Sequence, residues 1–596
     1  MSEDQSEAQG ASDRSPTRRE LSAHSRRWFA LALLLFALAS LYQFRGIFEA
    51  GFGRVVPVDW IFVNEKSPWR DSTRADLVFH TFTVSRAARA LLEHPLDFFD
   101  APQCFPFDRS ATLGIPMGAM GVLATPFVLA QENPVFTYNA VILVTLFLAG
   151  LALFLLVREW TGSPPAAIVV GLLYCIHPFR LREINFTSQL DDIWTVFALF
   201  FATRWLTRGG WRYALGVALA FSMQALASVY PLLEATVMLP PILLWMFWRY
   251  GVQKISAAQV AFVALVAAGV LAWFYLPYLE SREFGLLTGR AGEQLFAGPL
   301  RQIPGAYYFV GWPAIGLAAL GAILGSRGRA ASLPGDPRFA IAVGMLLVAW
   351  VAAGPEAAYD TGLPIPDAYA ALSAIVPGLG NIRGIGRLII GVYLGALLLG
   401  GFGIAGLLRL LGARSSRLSA MVAALCIALA GVAALKPQWV GLPIKIVWQS
   451  HRVEAAADAI AFFDALAERE NAGPLLELPF DTGLAVLYRT PQRVLLSHFH
   501  GRRTSACAGS FYPADRTRIG ELARSLPDPE AVAELMGMGF TTVVLHHGPH
   551  PLADRDRIRA KFARQHSSAR YRLRPILQTD RRSAWAIEAM DEKPRG

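Results

Sequence analysis

The chain has 596 residues, of which 54% are hydrophobic and only 17% charged, with a mean hydropathy of +0.38 and a formal net charge of +10. Soluble domains carry roughly 25% charged residues, so this composition excludes an ordinary globular enzyme and points to many membrane helices. No Gly-Lys-Ser phosphate loop or dinucleotide glycine pattern stands in a strand-to-helix setting, which leaves nucleotide hydrolysis unsupported.

Residues 1–27 are rich in Ser, Glu, Asp and Arg and read as a disordered cytoplasmic tail. The apolar run at 28–44 follows a polar stretch too long for an ordinary signal peptide, so it reads as an uncleaved anchor. Runs of roughly 17–25 mostly apolar residues match the hydrocarbon thickness of a bilayer. They recur at 138–157, 213–229, 232–248, 257–278, 307–324, 388–411 and 418–435. Three shorter runs, 166–178, 193–206 and 339–353, join the series if their flanks contribute. The expectation is a polytopic α-helical membrane domain of about eleven helices over 28–435, with a large first outer loop at 45–137.

Basic residues set the orientation. Arg18, Arg19, Arg26 and Arg27 precede the first run, and a cytoplasmic amino terminus gathers Arg158, Arg204, Arg208, Arg212, Arg249 and Lys254 on the same side, as the positive-inside rule requires. Counting 114–130 as a further span would reverse every later loop, so that stretch reads as a re-entrant or surface helix. Cys175 and Cys426 fall inside apolar runs as small hydrophobic groups. Cys104 and Cys507 both fall on the outer side, where disulfides form; whether these two pair depends on a backbone approach that sequence leaves open.

Beyond 435 the apolar periodicity stops, and 436–596 reads as an extracytoplasmic α/β domain. Helical patterns at 453–470, 528–536 and 552–562 alternate with short apolar runs at 475–479 and 541–547. Arg555, Arg557, Arg559, Lys561, Arg564, Arg570, Arg572 and Arg574 cluster near its end. A solvated helix face explains such a cluster most simply; contact with anionic headgroups or a phosphorylated substrate is the functional reading, and nucleic acid is a poor partner on that side.

Several segments carry a resemblance. "RADLVFHTFTVSRAARALLEHPLDFF", "NAVILVTLFLAGLALFLLVREWTGSPPAAIVVGLLYCIHPFRLREI", "NIRGIGRLIIGVYLGALLLGGFG", "LLELPFD" and "HFHGRRTSACAGSFYP" together resemble a bacterial group of the GT-C glycosyltransferases, integral membrane enzymes that use polyprenyl-phosphate sugars. The resemblance covers most of the chain by pattern and by order of features. It implies that Asp76, matching the family's early-loop aspartate, is the catalytic base, since an ionised carboxylate can take the proton of an attacking hydroxyl. His80, four residues on, shares a helical face with Asp76 and can orient it or contact the substrate. On spacing alone a plainer reading competes: Thr73 and Asp76 have capping-box separation, which makes Asp76 the finish of a helix start.

In "HPFRLREINFTSQLDD", Arg180 and Arg182 suit a donor phosphate, because the guanidinium fork donates two parallel hydrogen bonds. Asp191 and Asp192 offer oxygen ligands to a divalent ion such as Mg or Mn, although capping of the next helix accounts better for them. Arg383 and Arg387, spaced i, i+4 among glycines, form a second phosphate or carrier-lipid candidate, and interface anchors look identical. His498 and His500 fall where the family carries a His-Gly, which points to acceptor binding; with His546, His547 and His550 they lack the ligand spacing of a zinc site, and packed histidines are the default.

The expected activity is inverting transfer of a sugar from a polyprenyl-phosphate donor to an envelope glycan, lipid or protein at the outer face of the bacterial cytoplasmic (inner) membrane. A flippase for a lipid-linked intermediate, or a non-catalytic membrane scaffold, are the alternatives. A transporter carries charged or broken helices at mid-membrane, and these runs have few, Glu234 excepted.

Overall fold

The computed structural model describes residues 18–59, 70–176, 180, 183–281, 312–325, 337–354, 362–376, 382, 384–435, 448–469, 473–480, 486–547, 560–562 and 571–589. Helix α1 spans Arg18–Gln43 and α2 Arg45–Ala50; strand β1 follows at Val55–Asp59, then α3 at Arg70–Glu93 and α4 at Gly118–Ala130. Next come α5 (Pro134–Thr161), α6 (Pro164–Cys175), a 3-10 segment (Glu183–Asp192), α7 (Ile193–Arg208), α8 (Trp211–Leu226), α9 (Val229–Tyr250) and α10 (Ala257–Ser281). The helical part closes with α11 (Trp312–Leu324), α12 (Pro337–Ala353), α13 (Ala368–Ile375), a 3-10 turn (Ile385–Leu388), α14 (Ile389–Gly412) and α15 (Ser416–Leu435). The expectation of disorder through residue 27 fails from Arg18 onward, where strong helix formers extend the first apolar helix backward. Residues 1–17 lie outside the described part.

Among the described residues, each apolar run read from the sequence overlaps one of these helices. Four helical stretches there, Pro134–Thr161, Val229–Tyr250, Ala257–Ser281 and Ile385–Gly412, are long and apolar enough to cross a membrane by length and composition. Helix α4, at 13 residues, rises only ~20 Å and is laid against α3, where a Cβ on Gly121 would stand 2.7 Å from the Ala87 Cβ. Small residues also bring α11 and α14 together: a Cβ on Gly321 would meet the Leu399 carbonyl at 2.1 Å. Such backbone approach is how apolar helices gain contact where lipid removes any hydrophobic drive to associate.

The carboxy-terminal part contains β2 (Trp448–Arg452), α16 (Ala457–Ala467), β3 (Leu475–Leu478), α17 (Val486–His500), α18 (Arg516–Ser525) and α19 (Pro529–Gly537). Strands β4 (Thr542–His546), β5 (Tyr571–Gln578) and β6 (Arg582–Ala589) complete it. The sheet order is β3-β4-β6-β5, with β3 and β4 parallel and the other neighbours antiparallel. Leu475–Leu478 is buried at every position, the mark of a strand covered on both faces. The expected α/β character is thus present. Of the expected helix at 552–562, only 560–562 is described.

This part does not hang free. Strand β2 pairs antiparallel with β1, setting Val55 opposite Arg452 and Asp59 opposite Trp448. The segment after α3 is stitched to residues 504–511 by backbone bonds: Cys104 N–H to Ala506 O (2.9 Å), Phe105 N–H to Thr504 O (2.9 Å) and Ser510 N–H to Leu113 O (2.8 Å). Phe105 enters the tail's own core, edge-on to Phe540 at 5.0 Å. Cys104 and Cys507 are joined in a disulfide, with Cα atoms 4.4 Å apart. Much of the first loop therefore folds with the tail, 403 residues further on at that bond.

Candidate active site

Asp76 lies in the second turn of α3, half-buried. The residues before Thr73, from Arg70 on, are already helical, so Thr73 is not a cap and the helix-start explanation of Asp76 does not fit. His80 follows one turn later on the same face and is buried (8% exposed). Helix α3 packs against α5 and the 3-10 segment, and the Tyr138 hydroxyl of α5 stands within electrostatic reach of both Asp76 and Thr187. Helix α5 thus brings a hydroxyl toward the carboxylate. Asn133 makes the α5 wall firm: its side chain caps Val135 N–H (2.9 Å) and Phe136 N–H (3.1 Å) and donates to Gly53 O (3.1 Å). Asn139 adds bonds to Phe52 O and Val55 O, each 2.7 Å.

The tail approaches the same helix. His451 on β2 is held down at about 4 by burial and, secondarily, by the Arg74 guanidinium, which places Arg74 facing that strand. Helix α17 packs along α3, with His498 Nδ1 3.5 Å from Ser85 Oγ and the Arg89 guanidinium 3.4 Å from the His498 carbonyl.

Arg180 does not face an open surface. It is 1% exposed, pairs with Asp192, donates to Leu190 O (2.9 Å) and lies 4.5 Å over the Tyr174 ring. The Tyr174 hydroxyl donates to the other Asp192 oxygen at 2.5 Å. A phosphate can reach Arg180 only if this arrangement opens. Arg182 and Arg383 lie outside the described residues. Arg387 sits in the 3-10 turn before α14, 5.6 Å over the Tyr230 ring, while Gly384 N–H reaches the Tyr230 hydroxyl at 3.3 Å. Tyr230 begins α9, and α9 and α3 both pack on the 3-10 segment, so the helices that carry Tyr230 and Asp76 share one neighbour.

Both oxygens of Asp192 are thus engaged by Arg180 and Tyr174. Asp191 is fully buried, neither of its oxygens has a hydrogen-bond partner among the described residues, and burial, reinforced by Asp192, pushes its carboxyl up to about 8. No group of three or more His, Cys, Asp or Glu side chains is placed to hold a metal among the described residues. With both Asp192 oxygens engaged, the Asp191 carboxylate alone falls short of the roughly six or more oxygen ligands that a hard divalent ion takes. Glu234 on α9 is the further buried carboxylate, unpartnered at both oxygens among the described residues and faced by Gly391.

The described tail histidines are held by neighbours within the tail and on α3. His500 lies 4.4 Å from the Phe463 ring and accepts the Arg502 N–H at 3.1 Å. His546 meets Glu477 at 2.7 Å and His547 meets Ser583 at 2.7 Å; His550 lies outside the described residues. Of the basic cluster, Arg572 and Arg574 pair with Glu588 at 3.2 and 2.5 Å, while Arg555, Arg557, Arg559, Arg564 and Arg570 are outside the described part. Sequence reasoning missed Tyr138 near Asp76, Thr187 beside Tyr138, and Arg74 beside His451. An aromatic residue near a helix end reads equally as an interface anchor, so no local signal separates Tyr138 from that role.

No family model matches the chain, and no curated protein matches it. Among solved structures, the cryo-EM structure of the arabinofuranosyltransferase AftD from Mycobacteria is similar over 95% of this chain and 40% of its own length, at 15% identity and a TM-score of 0.51. A mutant form of AftD gives 95% and 42% coverage, 15% identity and a TM-score of 0.53. The chain thus spans about 40% of the AftD length. The crystal structure of ArnT from Cupriavidus metallidurans bound to undecaprenyl phosphate aligns over 95% of this chain and 98% of its own at 13% identity, with a TM-score of 0.40, too loose to carry weight.

Proposed function

We propose, from the premise that this chain has a GT-C-like fold, that it is a membrane glycosyltransferase with Asp76 as its base. The observation that carries the reading is the position of Asp76: an acidic side chain inside a helix, where capping does not explain it, on a helix that packs against α5, the 3-10 segment and α17 of the tail. The donor is a polyprenyl-phosphate sugar and the acceptor an envelope glycan, lipid or protein. The acceptor hydroxyl attacks the anomeric carbon, the bond from that carbon to the phosphate oxygen breaks with inversion, and the proton passes to Asp76. Polyprenyl phosphate leaves, its charge met by a guanidinium. Arg387 is the described arginine suited to that role, and His80 positions Asp76.

The site faces the outer side of the cytoplasmic membrane of a bacterium; for the side alone, the Cys104–Cys507 bond is support, since disulfides persist in oxidising compartments. Flippase activity remains the second reading because of Glu234, a buried carboxylate in a span-length helix without a hydrogen-bond partner among the described residues, as transporters carry. Proteoliposomes loaded with polyprenyl-phosphate sugars separate the two. A transferase forms a covalent glycoside on added envelope acceptor, whereas a flippase moves the donor across the bilayer and makes none.

A further inference from the structure

Three turns gather at one end of the helical part: α5 ends at Thr161 before α6 begins at Pro164, α7 ends at Arg208 before α8 begins at Trp211, and α9 ends at Tyr250 before α10 begins at Ala257. They are tied to one another. Arg204 donates to one Glu159 oxygen at 2.8 and 3.0 Å and Arg208 to the other at 2.7 Å, and Lys254 Nζ donates to the Thr207 carbonyl. Trp160 Nε1 reaches Thr203 Oγ1 at 2.9 Å, and its ring stands edge-on to Trp245 at 5.8 Å. Helix α5 runs from Tyr138, near Asp76, to Arg158 at this end, a rise of ~30 Å, which is the thickness of a bilayer's hydrocarbon core. The three turns therefore lie one membrane thickness from Asp76.

Charge at this end is one-sided. The stretches 158–163, 204–213 and 248–256 hold Arg158, Arg204, Arg208, Arg212, Arg249 and Lys254, with Glu159 as their one carboxylate. Arg204 and Arg208 occupy that carboxylate. Arg212 and Arg249 are exposed and have no carboxylate partner among the described residues. Each stands in the same triplet, Trp-Arg-Tyr, at 211–213 and at 248–250. In both, the guanidinium lies over the following ring, Tyr213 at 4.6 Å and Tyr250 at 5.6 Å, and the preceding indole is bare, Trp211 at 55% and Trp248 at 60% exposure.

We propose that this end of the helical part binds anionic phospholipid of the leaflet opposite Asp76, with Arg212 and Arg249 donating to headgroup phosphate and Trp211 and Trp248 lying beside them at the boundary with the acyl chains. An exposed indole at the end of an apolar helix suits the headgroup level, where its body meets hydrocarbon and its N–H meets water. A guanidinium fork donates two parallel hydrogen bonds to phosphate. A zwitterionic headgroup brings the same phosphate with an ammonium that the surplus of cations repels, whereas an anionic one brings none. A soluble polyanion would answer the charge and leave both indoles without an apolar partner. The inference does not rest on the transferase reading and holds equally for a flippase.

Native mass spectrometry of the detergent-solubilised full chain tests this, with phosphatidylglycerol and phosphatidylcholine of matched acyl chains as competing probes. Wild type is expected to bind phosphatidylglycerol ~tenfold or more tightly than phosphatidylcholine, and the double variant Arg212→Gln with Arg249→Gln is expected to lose most of that preference. Arg518→Gln with Arg581→Gln removes the same charge from exposed positions of the tail and should leave the preference intact. If the double variant fails to fold, Arg212→Gln and Arg249→Gln singly should each lose part of it. Equal binding of the two lipids by wild type overturns the inference, as does a preference that survives loss of both arginines or falls equally in the tail control. Retention of a soluble RNA oligonucleotide through Arg212 and Arg249, without preference between the lipids, assigns the surface to a soluble partner and overturns it too.

Discussion

Cys104 and Cys507 are covalently joined across 403 positions of sequence, and each is almost completely buried, at 4% and 3% exposure. The bond fixes the loop after the Asp76 helix to the domain that covers it. Cys104→Ser is expected to cost roughly 2–5 kcal/mol of tail docking. Limited proteolysis of the loop around 100–114 should accelerate in the variant and in reduced wild type alike. Equal cleavage rates in all forms would show that the bond does not hold the two parts together.

The Arg180–Asp192 pair makes a second, independent prediction. Breaking one side leaves a buried charge uncompensated, so Arg180→Met is expected to lower stability by roughly 3–5 kcal/mol. Arg180→Met combined with Asp192→Leu should recover most of the folded yield, and sugar transfer with it, if Arg180 is structural. A folded but inactive double variant would return a phosphate role to Arg180.

Acid should weaken the tail selectively. Burial would raise the Glu477 carboxyl, but the His546 hydrogen bond and charge, with Arg493 and Thr504, hold it down at about 2; burial holds His546 and His500 at about 4 and His498 at about 3. Each of these groups binds its proton more weakly folded than unfolded. The histidines therefore cost no stability above pH ~6.5, the unfolded value, and withdraw it as pH falls toward 4; Glu477 adds to the loss below ~4.3. Asp191, held up at about 8, adds stability as pH falls from 8, so the thermal midpoint of the solubilised protein should rise slightly on that limb and fall steadily below ~6.5, where three histidines outweigh one carboxyl. A midpoint that rises as pH falls below ~6.5 would contradict the neutral assignment of these histidines.

Gly321→Ala should destabilise the helical part, because the new methyl meets a backbone carbonyl that has no rotamer to yield. Overpacking of this kind costs roughly 1–3 kcal/mol. The same change at Gly316, where no atom lies within 4 Å of an added Cβ, is the control and should be neutral in a detergent melt.

The apolar helices were legible because a hydrophobic run of sufficient length has few other fates, and α5 and α14 begin within about five residues of where the composition sets them. Strands β3 and β4 were legible for the same reason, as short apolar runs between breakers. Strands β5 and β6 were not, since Arg572, Arg574 and Glu588 alternate along them and read as a solvated basic face until they pair across the ladder. At the candidate site, the i, i+4 relation of Asp76 and His80 is local and could be read directly. The fate of Arg180 could not: its partner Asp192 is twelve residues away and becomes one only when the 3-10 segment folds back. Tyr138 comes near Asp76 by tertiary packing alone, which leaves no trace in spacing.

Asp76→Asn decides the central claim, because it removes the base and keeps the size of the side chain. With purified protein in polyprenyl-phosphate-sugar proteoliposomes, wild type should form the glycoside, and the variant should be slower by ~10²–10⁴-fold with its thermal midpoint unchanged. Transfer at the same rate in both proteins would contradict the assignment of Asp76.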